Sequence, residues 1–158
     1  MKLSNALIAL IFLFSCQTPT EQPAEFSFDQ LQKKSEAPVA LASTRIDLVN
    51  KGVGPVSEVV LASTVDKALV EKGSALYAQK CTACHKIGER FIGPPPNGIL
   101  NRRTPEWVMN MILNPEGMLK SDALAKDLFM EFNGAPMANQ GLTQQEARAI
   151  LEYFRTLN

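Results

Sequence analysis

Cys81-Thr82-Ala83-Cys84-His85 constrains this chain more than any other stretch. Two cysteines separated by two residues, with a histidine directly after, form the pattern that receives a haem covalently. The two thiols add to the two vinyl groups, and the adjacent imidazole is carried under the iron as an axial ligand. A lone histidine is more often a structural or surface residue, and His85 is the only one in the chain. Its place immediately after the cysteine pair reverses that expectation. A thioredoxin-like redox pair is the first alternative, but it would sit near a βαβ pattern, which is absent. A zinc site is the second, but it needs four good ligands, and only Cys81, Cys84 and His85 stand nearby.

The N-terminus reads as an export signal. Lys2 gives a positive start, and Ala6 to Phe14 is an apolar run. Such a run falls far short of the roughly 20 residues that span a bilayer and suits the core of a signal peptide. It ends in Leu13-Phe14-Ser15-Cys16, which resembles a bacterial lipoprotein processing box. That resemblance implies a lipidated Cys16 as the first mature residue, holding the protein at a membrane without a spanning helix. With Cys16 so used, Cys81 and Cys84 remain as a close pair among the three cysteines.

The expected organisation is a signal peptide at 1–15, lipid attachment and a flexible spacer at 16–44, an extended segment at 45–64, and a helical domain at 65–158. The spacer is polar and contains Pro19, Pro23 and Pro38, with a weak helical patch around Phe26 to Gln32. Arg45 to Leu61 reads as two short extended pieces with a turn at Lys51 to Pro55. It carries no visible chemistry and is expected to pack on the helical domain. Thr64 or Asp66 caps a helix running toward Cys81, with Ala68, Leu69, Leu76 and Tyr77 inward. Thr104-Pro105-Glu106 starts a second helix and Asn114-Pro115 ends it. Ser121 or Asp122 starts a third, which Asn133-Gly134 stops. Thr143 and Glu146 form a capping box for the last helix, whose Ala147, Ile150, Leu151 and Phe154 share one face. Sixteen basic and sixteen acidic residues cancel, which gives no sign of nucleic acid as a partner.

Residues 65–158 resemble a small single-haem cytochrome c with its haem attached near the N-terminus. The resemblance rests on the haem motif, on Gly73 and Tyr77 before it, and on Gly93-Pro94-Pro95-Pro96-Asn97-Gly98 after it. It implies an all-α fold of about four helices around one covalently bound haem c. It also implies that Gly73 lets the last helix cross closely, and that Tyr77 packs against Tyr153 or Phe154. By the same resemblance, the Pro94 carbonyl accepts the free ring N–H of His85, and Arg102 bonds a haem propionate. Arg103 can do the same job, and the Trp107 indole adds a donor there.

Of the six methionines, Met137 is the expected sixth iron ligand. It follows Ala135-Pro136 in a loop before the capped last helix, where the family presents its ligand methionine. Met109 and Met111 sit on a helix, where methionine is usually core filler. Met118 is the runner-up. Histidine and methionine together favour reduced iron and leave no open position for substrate. The implied role is therefore an electron carrier and not an enzyme, facing the periplasm and anchored through Cys16. Its partners would be a quinol-oxidising complex or other donor, and a terminal reductase or oxidase. The stretch from Asn114 to Gln140 is also similar to small lipoprotein cytochromes found with nitrous-oxide reductase systems, which implies that copper enzyme as acceptor. The alternatives are a fixed haem subunit of a larger complex and a haem sensor that binds a small ligand.

Overall fold

A computed structural model describes residues 40–158. The signal segment, Cys16, most of the spacer and the patch from Phe26 to Gln32 lie outside the described residues. Five α-helices follow one another: α1 Lys67–Lys80, α2 Pro105–Leu113, α3 Pro115–Ser121, α4 Ala123–Glu131 and α5 Gln144–Phe154, with a short 3-10 turn at Ile99–Asn101. No strand occurs among the described residues, and no helix among them is long and apolar enough to cross a membrane.

The frame is the pair α1 and α5. Asp66 caps α1 by accepting the N–H groups of Ala68 and Leu69. Thr143 and Glu146 close a reciprocal capping box at the start of α5. Ala147, Ile150 and Leu151 are fully buried, as their spacing predicts. The two helices meet at Gly73, where an added Cβ would lie 2.0 Å from the Ala149 carbonyl oxygen. Only glycine lets the backbones approach that far. One turn later Tyr77 meets Phe154 edge-on at 5.7 Å and Tyr153 at 5.6 Å between ring centroids. Ala68 is exposed and does not share this inward face.

The helix count exceeds the expected four because Asn114-Pro115 does two jobs. Asn114 closes α2, and its side chain then caps α3 by accepting the Gly117 N–H. Pro115 stands at the first position of α3, where its missing N–H costs nothing. A proline read only as a stop is here also a start. Asp122 repeats the device between α3 and α4, accepting the Ala125 N–H.

Residues 40–66 form a strap along α2 and not the two extended pieces expected. Its one ladder contact is an isolated bridge between Asp47 and Arg103. Side chains replace cross-strand partners. Asn110 donates to the carbonyls of Lys51 and Val56, and its Oδ1 accepts the Val56 N–H at 2.9 Å. The Thr104 hydroxyl donates to the Asn50 carbonyl, and the Asn50 amide donates to Asp122. The Glu106 carboxylate accepts the Val59 N–H. The apolar residues explain why no sheet forms. Val56 is buried, whereas Ile46, Leu48 and Val60 face outward, so they share no common face. Packing on the helical domain, the expected role, is what the segment does. Residues 40–44, expected in the spacer, take part as well, since Ala42 is buried in the core.

Candidate cofactor site

A partly enclosed, mainly apolar cleft opens between the end of α1, α2, α4 and α5. The chain places Cys81, Cys84, His85, Pro94, Arg102, Trp107 and Met137 on its wall, so every site residue expected after residue 80 converges there. Cys16 lies outside the described residues.

The two cysteines sit on a turn that extends α1. The N–H groups of Cys84 and His85 both donate to the Cys81 carbonyl, at 3.0 and 2.8 Å. Both thiols are free. Burial, and then the neighbouring Cys84, push the Cys81 thiol up to about 11. Among the described residues no cluster of three or more His, Cys, Asp or Glu is placed to hold a metal ion.

His85 is held on three sides. Its Nδ1 lies 2.8 Å from the Pro94 carbonyl oxygen. A carbonyl can only accept, so Nδ1 carries the proton and Nε2 keeps its lone pair. Gly93 lies against the ring, because a Cβ there would come 2.4 Å from Cε1. The Gly93 N–H donates to the Cys84 carbonyl, tying this loop back to the cysteine turn. Tyr77 donates its hydroxyl proton to the His85 carbonyl at 2.8 Å. Burial is the main cause that raises the phenol to about 12, so this donor keeps its proton.

Met137 lines the cleft from the loop between α4 and α5. That loop leaves α4 through Asn133 and Gly134, both at positive φ. Met118, the runner-up, does not line it; the side chain is fully buried and its sulfur accepts the Val53 N–H. Met111, read as core filler, does line the cleft.

The polar wall is less symmetric than expected. Arg102 and Arg103 both line the cleft, and the Nε of each is buried with no hydrogen-bond partner among the described residues. The Trp107 indole faces elsewhere, since its N–H donates to Asp122 Oδ1 at 3.2 Å. Trp107 therefore gives the cleft an apolar ring edge, and its donor stabilises the start of α4. Ser43 on the strap, Phe129 on α4 and Phe132 just past its end are lining residues that sequence reasoning missed. The aromatic pair carried a signal as inward residues of a helix; Ser43 carried none.

These residues fit a haem. Two thiols stand at the cleft with an imidazole whose Nε2 is free, the walls are apolar, and two orphaned guanidinium edges suit the two propionates. The comparisons with known proteins agree. The family model for cytochrome c matches residues 70–158. A cytochrome c from Rhodothermus marinus is 41% identical, over 73% of this chain and 92% of that one, with a TM-score of 0.63. An engineered form of that protein is 40% identical over 73% of this chain and 93% of that one, also at 0.63. A second structure of the engineered form, bound to a carbene intermediate, matches at 40% identity over the same shares with a TM-score of 0.60.

Proposed function

Since the chain belongs to the cytochrome c family, we propose that its haem c is ligated by His85 and Met137 and serves as an electron carrier rather than an enzyme. The cofactor is covalently attached haem c, and Cys81 and Cys84 are the candidate thiols for its two thioether bonds. Bound haem supplies a one-electron ferrous/ferric couple. The protein's part is to hold that group in one place and one polarity.

The observation that carries the reading is the His85–Pro94 hydrogen bond beside Gly93. It fixes the tautomer, aims Nε2 away from Pro94, and makes the imidazole a stronger donor. Met137 supplies a thioether from the same cleft, a soft ligand that favours the reduced state. If His85 and Met137 both hold the iron, the bound haem would offer no open position to a substrate. Apolar walls exclude water, which limits reorganisation on electron transfer.

The same reading includes a lipid on Cys16, a periplasmic face, and brief contacts with a membrane donor and a terminal acceptor. An acceptor of the nitrous-oxide reductase kind follows from the sequence resemblance alone. The reading is tested by exporting the full chain in a strain that matures c-type haem. The intact mass should exceed the processed chain by one haem, and the redox titration should follow a single one-electron curve. Replacing both Cys81 and Cys84 with serine should abolish the added mass. Retention of covalent haem by that double variant contradicts the assignment. Stopped-flow reoxidation then sorts acceptors, and a purified nitrous-oxide reductase that fails to oxidise the reduced protein removes that partner.

A further inference from the structure

Glu131 ends α4 and joins three segments at once. Its carboxylate accepts the Ser43 N–H at 2.7 Å and the Ser43 hydroxyl, both from the strap. It also pairs with Arg90 at 3.0 Å, and the other terminal nitrogen of Arg90 donates to the Glu131 carbonyl. The guanidinium lies over the ring of Phe132, 4.0 Å from its centroid. The Glu131 side chain is 7% exposed, whereas Arg90 is half exposed. Burial raises the Glu131 carboxyl, yet hydrogen bonds from Ser43 and Arg90 outweigh it and hold it below its ordinary 4.5. It is therefore a carboxylate at neutral pH, with charge-assisted bonds to two other segments.

Arg90 lies between His85 and Gly93, in a loop whose far end returns through the Gly93 N–H to the Cys84 carbonyl. Glu131 stands six residues before Met137. The pair thus links the segment that carries the histidine to the segment that carries the methionine, without passing through the iron. Beyond Glu131, the N–H groups of Gly134 and Ala135 donate to the Phe129 and Phe132 carbonyls. From Pro136 to Leu142 the hydrogen bonds among the described residues are local, Gln140 to the Ala138 carbonyl and the Gly141 N–H to Asn139. Met137 and Leu142 pack on the core, but apolar contacts are non-directional. On its N-terminal side Met137 takes its polar anchorage from the end of α4, and Glu131 is where that end is fastened.

We propose that Arg90 and Glu131 form a clasp beside the cofactor cleft that keeps Met137 on the iron and so closes the sixth position to outside ligands. The inference rests on the reading that His85 and Met137 ligate the haem. Both members of the clasp are positioning residues: neither side chain lines the cleft, whereas their neighbours Ser43 and Phe132 do. Without the pair, the end of α4 and the loop it leads into gain freedom, and the fraction of molecules with Met137 off the iron rises. An outside ligand binds only that fraction, so its apparent affinity rises in proportion. One turn earlier, the Arg45–Asp127 pair still holds α4 to the strap.

The test titrates the ferric holoprotein with imidazole and follows the near-infrared thioether band. The parent spectrum comes first: absence of that band refutes the Met137 ligation and the clasp with it. With the band present, Glu131→Gln and Arg90→Gln should each take imidazole about fivefold more tightly than the parent. The double variant should add little to either, because both changes break one joint. Arg90→Lys keeps the charge but not the fork, so it should bind imidazole between the parent and Arg90→Gln; it serves where a glutamine variant fails to accumulate. Asp127→Asn removes a pair from the same helix without touching the clasp and should bind imidazole as the parent does. Unchanged affinity in both glutamine variants overturns the clasp and leaves the Met137 ligation standing. An equal rise in Asp127→Asn also overturns it, since the effect would then be a general loosening of α4.

Discussion

The α1–α5 frame and the strap lie in one compact unit and are held by opposite means. The frame is joined by shape: Gly73 against the Ala149 carbonyl, Tyr77 against two aromatic rings, and a buried face of Ala147, Ile150 and Leu151. The strap is joined by polar side chains that imitate a neighbouring backbone. Asn110 alone makes three hydrogen bonds to it. Apolar contacts tolerate small shifts, whereas a buried amide that loses its partners leaves several groups unsatisfied. The frame therefore fails through collisions, and the strap fails through orphaned polar atoms.

Substitutions should separate the two. Gly73→Val is expected to have the largest effect, about 3 kcal/mol or more, because backbone and not a flexible side chain meets the new Cβ. Denaturant unfolding of the holoprotein measures it. Tolerance of valine there would contradict the close crossing. Asn110→Ala comes next, at about 2 kcal/mol, because Lys51 and Val56 lose their partner in a buried site. Its signature is local: hydrogen exchange should quicken at Val56 while α1 and α5 keep their protection. Thr143→Ala removes the cap of α5 and should cost about 1 kcal/mol.

Acid should act on both regions but leaves neutral stability unchanged. Burial raises Glu152 and Glu106, yet hydrogen bonds and nearby cations outweigh it and hold both below their ordinary value of 4.5. For Glu152 these are the Asp66 N–H, Arg148 and Arg155; for Glu106, backbone N–H groups and Lys51. A carboxylate with a depressed folded value contributes stability above its unfolded value and loses it as pH falls through the folded one. Unfolding midpoints should stay level from neutral pH down to about 5 and decline below 4.5. Glu152→Gln should show a shallower decline. A midpoint that starts to fall well above pH 5 contradicts this assignment.

The same division explains what the sequence made legible. The caps at Asp66, Thr104 and Thr143 could be read because the capping side chain and the N–H it accepts lie two or three residues apart. The cysteine turn and His85 were legible for the same reason, whereas the Pro94 carbonyl, nine residues from His85, was expected only from the family resemblance. The strap was not legible. Asn110 pairs with Val56 across 54 positions, Asn50 with Asp122 across 72, and Asp66 with Glu152 across 86. Nothing local marks any of these polar residues as buried. Trp107 was placed in the cleft, but its donor points to Asp122, because that partner joins it only once α3 has turned. Arg103 was seen as a cation near the site, and its hold on the strap became visible only in three dimensions.

The central claim is that the cleft holds a haem ligated by His85 and Met137. The most direct measurement is the visible and near-infrared spectrum of the ferric holoprotein beside its Met137→Ala variant. The account predicts a low-spin parent with a weak thioether-to-iron charge-transfer band, lost on substitution of Met137. A high-spin parent, or a band that survives in the variant, would contradict it.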